Sequence, residues 1–126
     1  HVVNRTPARA RALAEAVAGA LDARAVADVA ELAGEVYDLA VNATPLGLAP
    51  GDPEPLDLER GPRAGAVLDL VYGPEETPWV RRARAFGLRA ADGREMLVRQ
   101  GAAAFRRWWG VEPPLDAMRR AVGLAP

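Results

Sequence analysis

The sequence predicts an α/β fold, a mainly parallel sheet flanked by helices. Three observations point to it. Short apolar runs at residues 2–3, 37–42 and 66–72 alternate with segments whose apolar residues recur at helical spacing. Two helical segments open on the same device, Thr6-Pro7 and Thr77-Pro78. In each, threonine serves as cap and proline takes the first helical position, where its fixed φ suits the helix and its missing N–H costs nothing. Finally, Ala66-Val67-Leu68-Asp69-Leu70-Val71-Tyr72 is almost continuously apolar, as a strand covered on both faces of a parallel sheet should be.

Taken in order, Val2 and Val3 read as the tail of a buried strand. Behind Thr6-Pro7, the residues Ala10, Leu13, Ala14, Val17 and Leu21 form one apolar helical face reaching about residue 21, with Arg9, Arg11 and Glu15 on the other face. Residues 23–26 suit a short strand, and Asp28 caps a brief helical segment through Ala33. Residues 37–42 form a buried strand ending at Asn42-Ala43-Thr44-Pro45, followed by a Pro- and Gly-rich loop over 45–65. The 66–72 strand ends at Tyr72-Gly73-Pro74. Val80, Ala83 and Phe86 mark the next helix, which Gly87 stops, and 88–91 is a last short strand. Asp92-Gly93 leads into the longest helix, to Trp109, with Leu97, Val98, Gly101, Ala102, Phe105 and Trp108 as its apolar face. Pro113-Pro114 opens a final helix through Asp116, Met118 and Val122.

At 126 residues, 50% hydrophobic and 26% charged, the chain is sized for one soluble globular unit. The net charge is −1 with arginines scattered among acids, which argues against a nucleic-acid surface. With no apolar run of membrane-spanning length and no leader pattern, a cytoplasmic chain without a membrane partner is expected. The sequence has no Lys, Ser or Cys, and its one His is His1. That excludes Ser-His-Asp and Cys-His catalysis, lysine Schiff bases and His or Cys metal clusters within these residues. Chemistry must come from Asp, Glu, Tyr, Arg or Thr, from a bound cofactor, or from groups outside the chain.

A strand that runs into a helix N-terminus builds an anion site, because free N–H groups and the helix dipole point at one spot. Here Arg5 and Arg9 add charge and no acid is present. At the corresponding strand end of a dinucleotide-binding fold an acid takes the 2′-hydroxyl of NAD, whereas arginine accommodates the 2′-phosphate of NADP. Arg5 and Arg9 therefore read as a 2′-phosphate clamp, or else as solvated arginines on a capped surface helix, which residues 2–9 alone favour. Asn42, Ala43 and Thr44 lie at another strand end, where ligands of such sheets bind, or where a plain strand-to-loop turn would also place them. Gln100, one turn beyond Met96, is either a solvated residue or an amide facing a cleft.

Together, Asn4-Arg5-Thr6-Pro7-Ala8-Arg9-Ala10, Asn42-Ala43-Thr44-Pro45-Leu46-Gly47, Asp69-Leu70-Val71-Tyr72 with Thr77-Pro78, and Asp92-Gly93 through Met96-Leu97-Val98-Arg99-Gln100-Gly101 to Phe105 resemble shikimate dehydrogenase. The matching segments are that family's NRT-x-x-R-A, NATxxG, D-x-x-Y with T-P, and DG-x-x-ML-x-x-Q-x-x-x-x-F. The resemblance implies that residues 1–126 form a partial NADP-binding domain, Rossmann-like, with C-terminal helices at 93–109 and 114–122. Its enzyme is an NADP-dependent oxidoreductase interconverting 3-dehydroshikimate and shikimate in aromatic amino-acid biosynthesis. Carried over by motif, Asn4, Arg5, Thr6 and Arg9 hold the adenosine ribose and 2′-phosphate. Thr44, Leu70, Gly93 and Met96 line the rest of the cofactor path, and Tyr72 and Gln100 reach the substrate. Tyr72 is read as an orienting hydroxyl, since a phenol is a poor base at neutral pH.

The family pattern also has parts that these residues lack. Its glycine-rich turn and first strand are absent, and its catalytic Lys-Asp pair cannot lie in a chain without lysine, so no catalytic residue is assigned here. A fragment is implied, inactive alone, whose 3-2-1-4-5-6 sheet has lost its central strand. A homo-oligomer or a complementary N-terminal fragment would repair it. The alternatives are an inactive nucleotide-binding or structural piece, and a related quinate/shikimate dehydrogenase.

Overall fold

The computed structural model describes residues 1–49 and 51–125. They divide into two compact units, His1–Tyr37 with Leu56–Arg63, and Asp38–Pro55 with Ala64–Pro126.

The first unit is built on β1 (Val2–Val3), α1 (Pro7–Val17), β2 (Ala25–Val26), a 3-10 turn at Val29–Leu32 and β3 (Val36–Tyr37). Strands β1 and β2 are parallel, Val2 opposite Ala25 and Val3 opposite Val26, with α1 as the crossover that parallel pairing requires. Strand β5 (Arg63–Ala64) pairs with β3, and the Arg63 N–H donates to the Glu35 carbonyl at 2.9 Å. The 3-10 turn carries the expected Asp28 cap: its carboxylate accepts the Ala30 N–H at 2.8 Å, and the Glu31 carboxylate accepts the Asp28 N–H at 3.1 Å.

Three expectations for this unit change. Helix α1 ends at Val17, four residues early, because the Ala20 and Leu21 N–H groups both turn back to the Val17 carbonyl around Gly19. Of its predicted apolar face only Ala10 and Ala14 are buried, while Leu13 and Leu21 are exposed. Strand β1 is not buried either: Val3 is exposed and Val2 half-buried, since a two-strand ladder with one short helix covers little surface.

The second unit contains β4 (Ala40–Asn42), β6 (Ala66–Asp69), α2 (Pro78–Ala85), β7 (Arg89–Ala91), α3 (Arg94–Trp109) and α4 (Leu115–Ala121). Its parallel sheet runs β4-β6-β7, with Asn42 opposite Asp69 and Val67 opposite Ala90. Helix α2 crosses from β6 to β7 and packs on both, burying Trp79, Val80 and Ala83. Val67, Val71, Val98 and Ala102 are buried with them. Fully burying a valine-sized side chain contributes about 1.5–3 kcal/mol.

Here too the boundaries move. The single strand expected over 37–42 is two strands, β3 and β4, broken at Asp38 and Leu39, where a side chain on Gly65 would stand 3.2 Å from the Asp38 carbonyl. Val41 is exposed. Strand β6 stops at Asp69 rather than Tyr72, because the Asp69 side chain takes the Val71 N–H at 3.1 Å and turns the chain. The C-terminal helices expected at 93–109 and 114–122 run Arg94–Trp109 and Leu115–Ala121. Phe86, Trp108 and Trp109 are exposed; burial along α3 stops at Ala102, and its last two turns have only α4 following them.

Candidate functional site

In the first unit the site is the junction of β1 and α1. The Asn4 side-chain oxygen accepts the Thr6 N–H at 2.8 Å, an Asx turn that bends the chain into the helix. Thr6 is the N-cap by backbone conformation, but its hydroxyl makes no cap bond; in the first turn the Arg9 N–H donates to the Thr6 backbone carbonyl at 2.9 Å. The first turn of α1 holds no acid, and Arg5 and Arg9 are exposed with no ion pair among the described residues. Two unneutralised guanidiniums at the positive end of a helix dipole suit a phosphate.

In the second unit the site is built from the C-terminal ends of β4 and β6. Asn42, 3% exposed, donates to Asp69 Oδ1 at 2.8 Å and to the Leu46 carbonyl at 3.0 Å. Its own oxygen accepts the Thr44 N–H at 3.0 Å and the Thr44 hydroxyl at 2.7 Å. Asp69, fully buried, also accepts the Thr77 hydroxyl at 2.8 Å, and Thr77 in turn caps α2 through the Val80 N–H at 3.4 Å. The sheet register that sets Asn42 beside Asp69 makes this chain of contacts possible.

Leu70, Tyr72 and Gly93 come together on the other side of the turn. The Gly93 N–H donates to the Val71 carbonyl at 3.0 Å, and a Cβ on Gly93 would lie 2.4 Å from the Leu70 oxygen and 3.0 Å from the Tyr72 ring. Glycine is required there by space, since its backbone (φ −70°, ψ −3°) is ordinary helical geometry. The turn is clamped by the largely buried pair Arg94–Asp92, with guanidinium-to-carboxylate distances of 2.9–3.0 Å. The hydrogen bond to Asp92 holds the Arg94 guanidinium above its ordinary pKa despite the opposing effect of burial. Tyr72 is 45% exposed and lines two concavities. One, of about 350 Å³, includes Gly47, Leu48, Val71 and Thr77. The other, of about 530 Å³, includes Pro74, Arg94, Leu97 and Val122.

Thus Leu70, Tyr72 and Gly93 are contiguous, and Thr44 is tied to them through Asn42 and Asp69. Met96 is half-buried on α3; Gln100 is exposed and makes no side-chain hydrogen bond among the described residues. Residue reading missed that Asp69 is the hub of the site, although a lone acid in an otherwise apolar strand was the signal available for it. Among the described residues no cluster of His, Cys, Asp or Glu could hold a metal ion, and no helix is long and apolar enough to cross a membrane.

Parallel strands linked by helices, with polar turns gathered at the C-terminal strand ends, define an α/β chain of the Rossmann-like class. Residues 93–122 match the shikimate 5′-dehydrogenase C-terminal domain. The NADP(+) shikimate dehydrogenase of Sinorhizobium medicae is 41% identical over 97% of the chain, which covers 42% of that protein. The Thermus thermophilus shikimate 5-dehydrogenase, solved in complex with NADP(H) and shikimate, is 43% identical with a TM-score of 0.78, over 97% of this chain and 44% of that one. A Corynebacterium glutamicum quinate dehydrogenase in complex with NAD is 33% identical, TM-score 0.72, over 94% of this chain and 44% of that one. Nearly the whole chain is thus similar to shikimate dehydrogenases, and it spans less than half the length of these relatives.

Proposed function

We propose that this chain supplies part of the cofactor site of a cytoplasmic NADP-dependent shikimate dehydrogenase, which interconverts 3-dehydroshikimate and shikimate. The observation that carries the reading is the pair Arg5 and Arg9, exposed and without an ion pair at the acid-free start of α1. Arginine at that strand end suits a 2′-phosphate, and an NAD site would offer an acid instead. When bound, the nicotinamide supplies hydride transfer. Asn4, Arg5, Thr6 and Arg9 bind the adenosine end. Thr44, Leu70, Gly93 and Met96 line the remaining path, and Tyr72 and Gln100 orient the substrate ring by hydrogen bonding. The proton is moved by a group outside these residues, since they include no lysine and no histidine except His1. The likeness to a quinate dehydrogenase makes quinate the competing substrate.

Calorimetric titration with 2′,5′-ADP, NADP⁺ and NAD⁺ tests the cofactor assignment. Binding of 2′,5′-ADP and NADP⁺ in preference to NAD⁺ is expected. Arg5→Ala with Arg9→Ala should weaken 2′,5′-ADP by about tenfold or more, the weight of a charge-assisted hydrogen bond. NAD⁺ binding as tightly as NADP⁺ would overturn the assignment. The chain alone is expected to form no NADPH from shikimate, and quinate and shikimate turnover compared in the longer enzyme decides the substrate.

A further inference from the structure

Asp69 is the one fully buried acid among the described residues, and it faces three donors: Asn42 Nδ2, the Val71 N–H and the Thr77 hydroxyl. No guanidinium pairs with it among the described residues. A buried carboxyl is tolerated only where donors satisfy it, so these three contacts are mutually dependent. Two of the donors belong to turns that carry exposed functional candidates. Asn42 leads to Thr44, and Val71 precedes Tyr72.

We propose that Asp69 is a positioning residue, setting through Asn42 and Val71 the two strand-end turns that present Thr44 and Tyr72; the functional meaning of those two residues rests on the reading above. The link to Thr44 works through the orientation of an amide. The oxygen and nitrogen of a carboxamide are nearly the same size, so Asn42 is oriented by its partners alone. Asp69 and the Leu46 carbonyl both accept from Nδ2, which forces Oδ1 toward the Thr44 N–H and hydroxyl. Without Asp69 the amide loses one of the two acceptors on its nitrogen side and is held less firmly, which loosens the Thr44 turn. On the other side, loss of the acceptor for Val71 N–H releases the bend that stops β6 and aims Tyr72. Thr77 extends the linkage to α2, so the cap of that helix and the two turns share one carboxylate.

The test is amide hydrogen exchange by NMR on the chain, together with ligand titration. In Asp69→Ala, Thr44 and Val71 amides should exchange about tenfold faster or more, while the β6–β7 ladder amides keep their protection. Asp69→Asn should restore both, since its oxygen still serves Asn42 and Val71, and its NH₂ donates to a Thr77 hydroxyl turned to accept. If Asp69→Ala does not fold, Thr77→Val removes one donor from the same carboxylate, and Thr44, two contacts away, should loosen in it. Unchanged Thr44 exchange in a folded variant, or an equal loss of protection at every amide, would overturn the proposal. The ligand arm separates it from the cofactor reading. If wild type binds NADP⁺ no more tightly than 2′,5′-ADP while Thr44 exchange follows Asp69, the positioning role stands and the cofactor role of these turns fails. If NADP⁺ has an advantage in wild type that survives Asp69→Ala undiminished, the positioning role fails.

Discussion

Gly93→Ala sets two opposing effects against each other, and the structure decides between them. By backbone conformation the substitution is favourable: φ −70° and ψ −3° are readily adopted by alanine, and restricting the unfolded chain contributes about 0.4–1 kcal/mol. By space it is unfavourable. The new Cβ would lie 2.4 Å from the Leu70 oxygen, against an ordinary carbon–oxygen contact of about 3.3 Å. The obstructing atom is backbone, and its peptide is held on both sides, Leu70 N–H to the Asn42 carbonyl at 2.9 Å and Val71 carbonyl to the Gly93 N–H at 3.0 Å. Relief therefore requires the turn to move, at about 1–3 kcal/mol for overpacking plus about 1 kcal/mol for the weakened hydrogen bond. The net is a destabilisation of about 1–3 kcal/mol, which at roughly 4 °C per kcal/mol for this length lowers Tm by about 4–12 °C. Thermal unfolding followed by circular dichroism measures it. Gly101→Ala is the matched control: Gly101 lies within α3, nothing stands within 4 Å of its Cβ position, and helix propensity predicts a gain of about 0.5–1 kcal/mol. A Gly93→Ala chain as stable as wild type, or more so, would refute the steric argument.

Other outcomes follow from the same structure. Trp79→Ala removes a side chain 3% exposed and should cost about 3–5 kcal/mol, measured by urea unfolding, whereas Trp108→Ala, 71% exposed, should change stability by less than about 0.5 kcal/mol. The Arg106 hydrogen bond holds the Glu112 carboxyl below the ordinary glutamate pKa. Because the folded pKa is the lower one, that pairing stabilises the fold above the unfolded glutamate pKa and is lost as pH falls through the folded value. A carbon-detected NMR titration of Glu112 should show the depressed midpoint, and Arg106→Gln should return it to the ordinary value; a midpoint unmoved by Arg106→Gln would contradict the assignment.

Much of the local architecture was legible in the residues. Thr77-Pro78 starts α2, Asp28 caps the 3-10 turn, and Gly87 follows the end of α2 in the left-handed conformation that glycine tolerates. These are short-range effects, decided by a few neighbouring dihedrals and donors. Burial was read less well. Leu13, Leu21, Val41 and Trp108 sit at the right period to be core and are exposed, because periodicity says which residues share a face but not whether anything covers that face. The site residues were legible mainly as motifs: Asn42, Asp69 and Thr77 were visible one by one, while their mutual contacts were not.

By itself, then, the sequence determined the α/β alternation, the caps and stops, the absence of lysine and of nucleophilic Ser or Cys chemistry, and the acid-free arginine pair beyond β1. Tertiary structure alone decided that Asn42 faces Asp69 across the β4–β6 register, that one carboxylate joins three elements, and that Gly93 has no room for a methyl group. The physical reason is range. Capping and turn formation act over a few residues of chain, whereas the Asn42–Asp69 and Val71–Gly93 hydrogen bonds join residues more than twenty apart, and only the packed sheet brings them together.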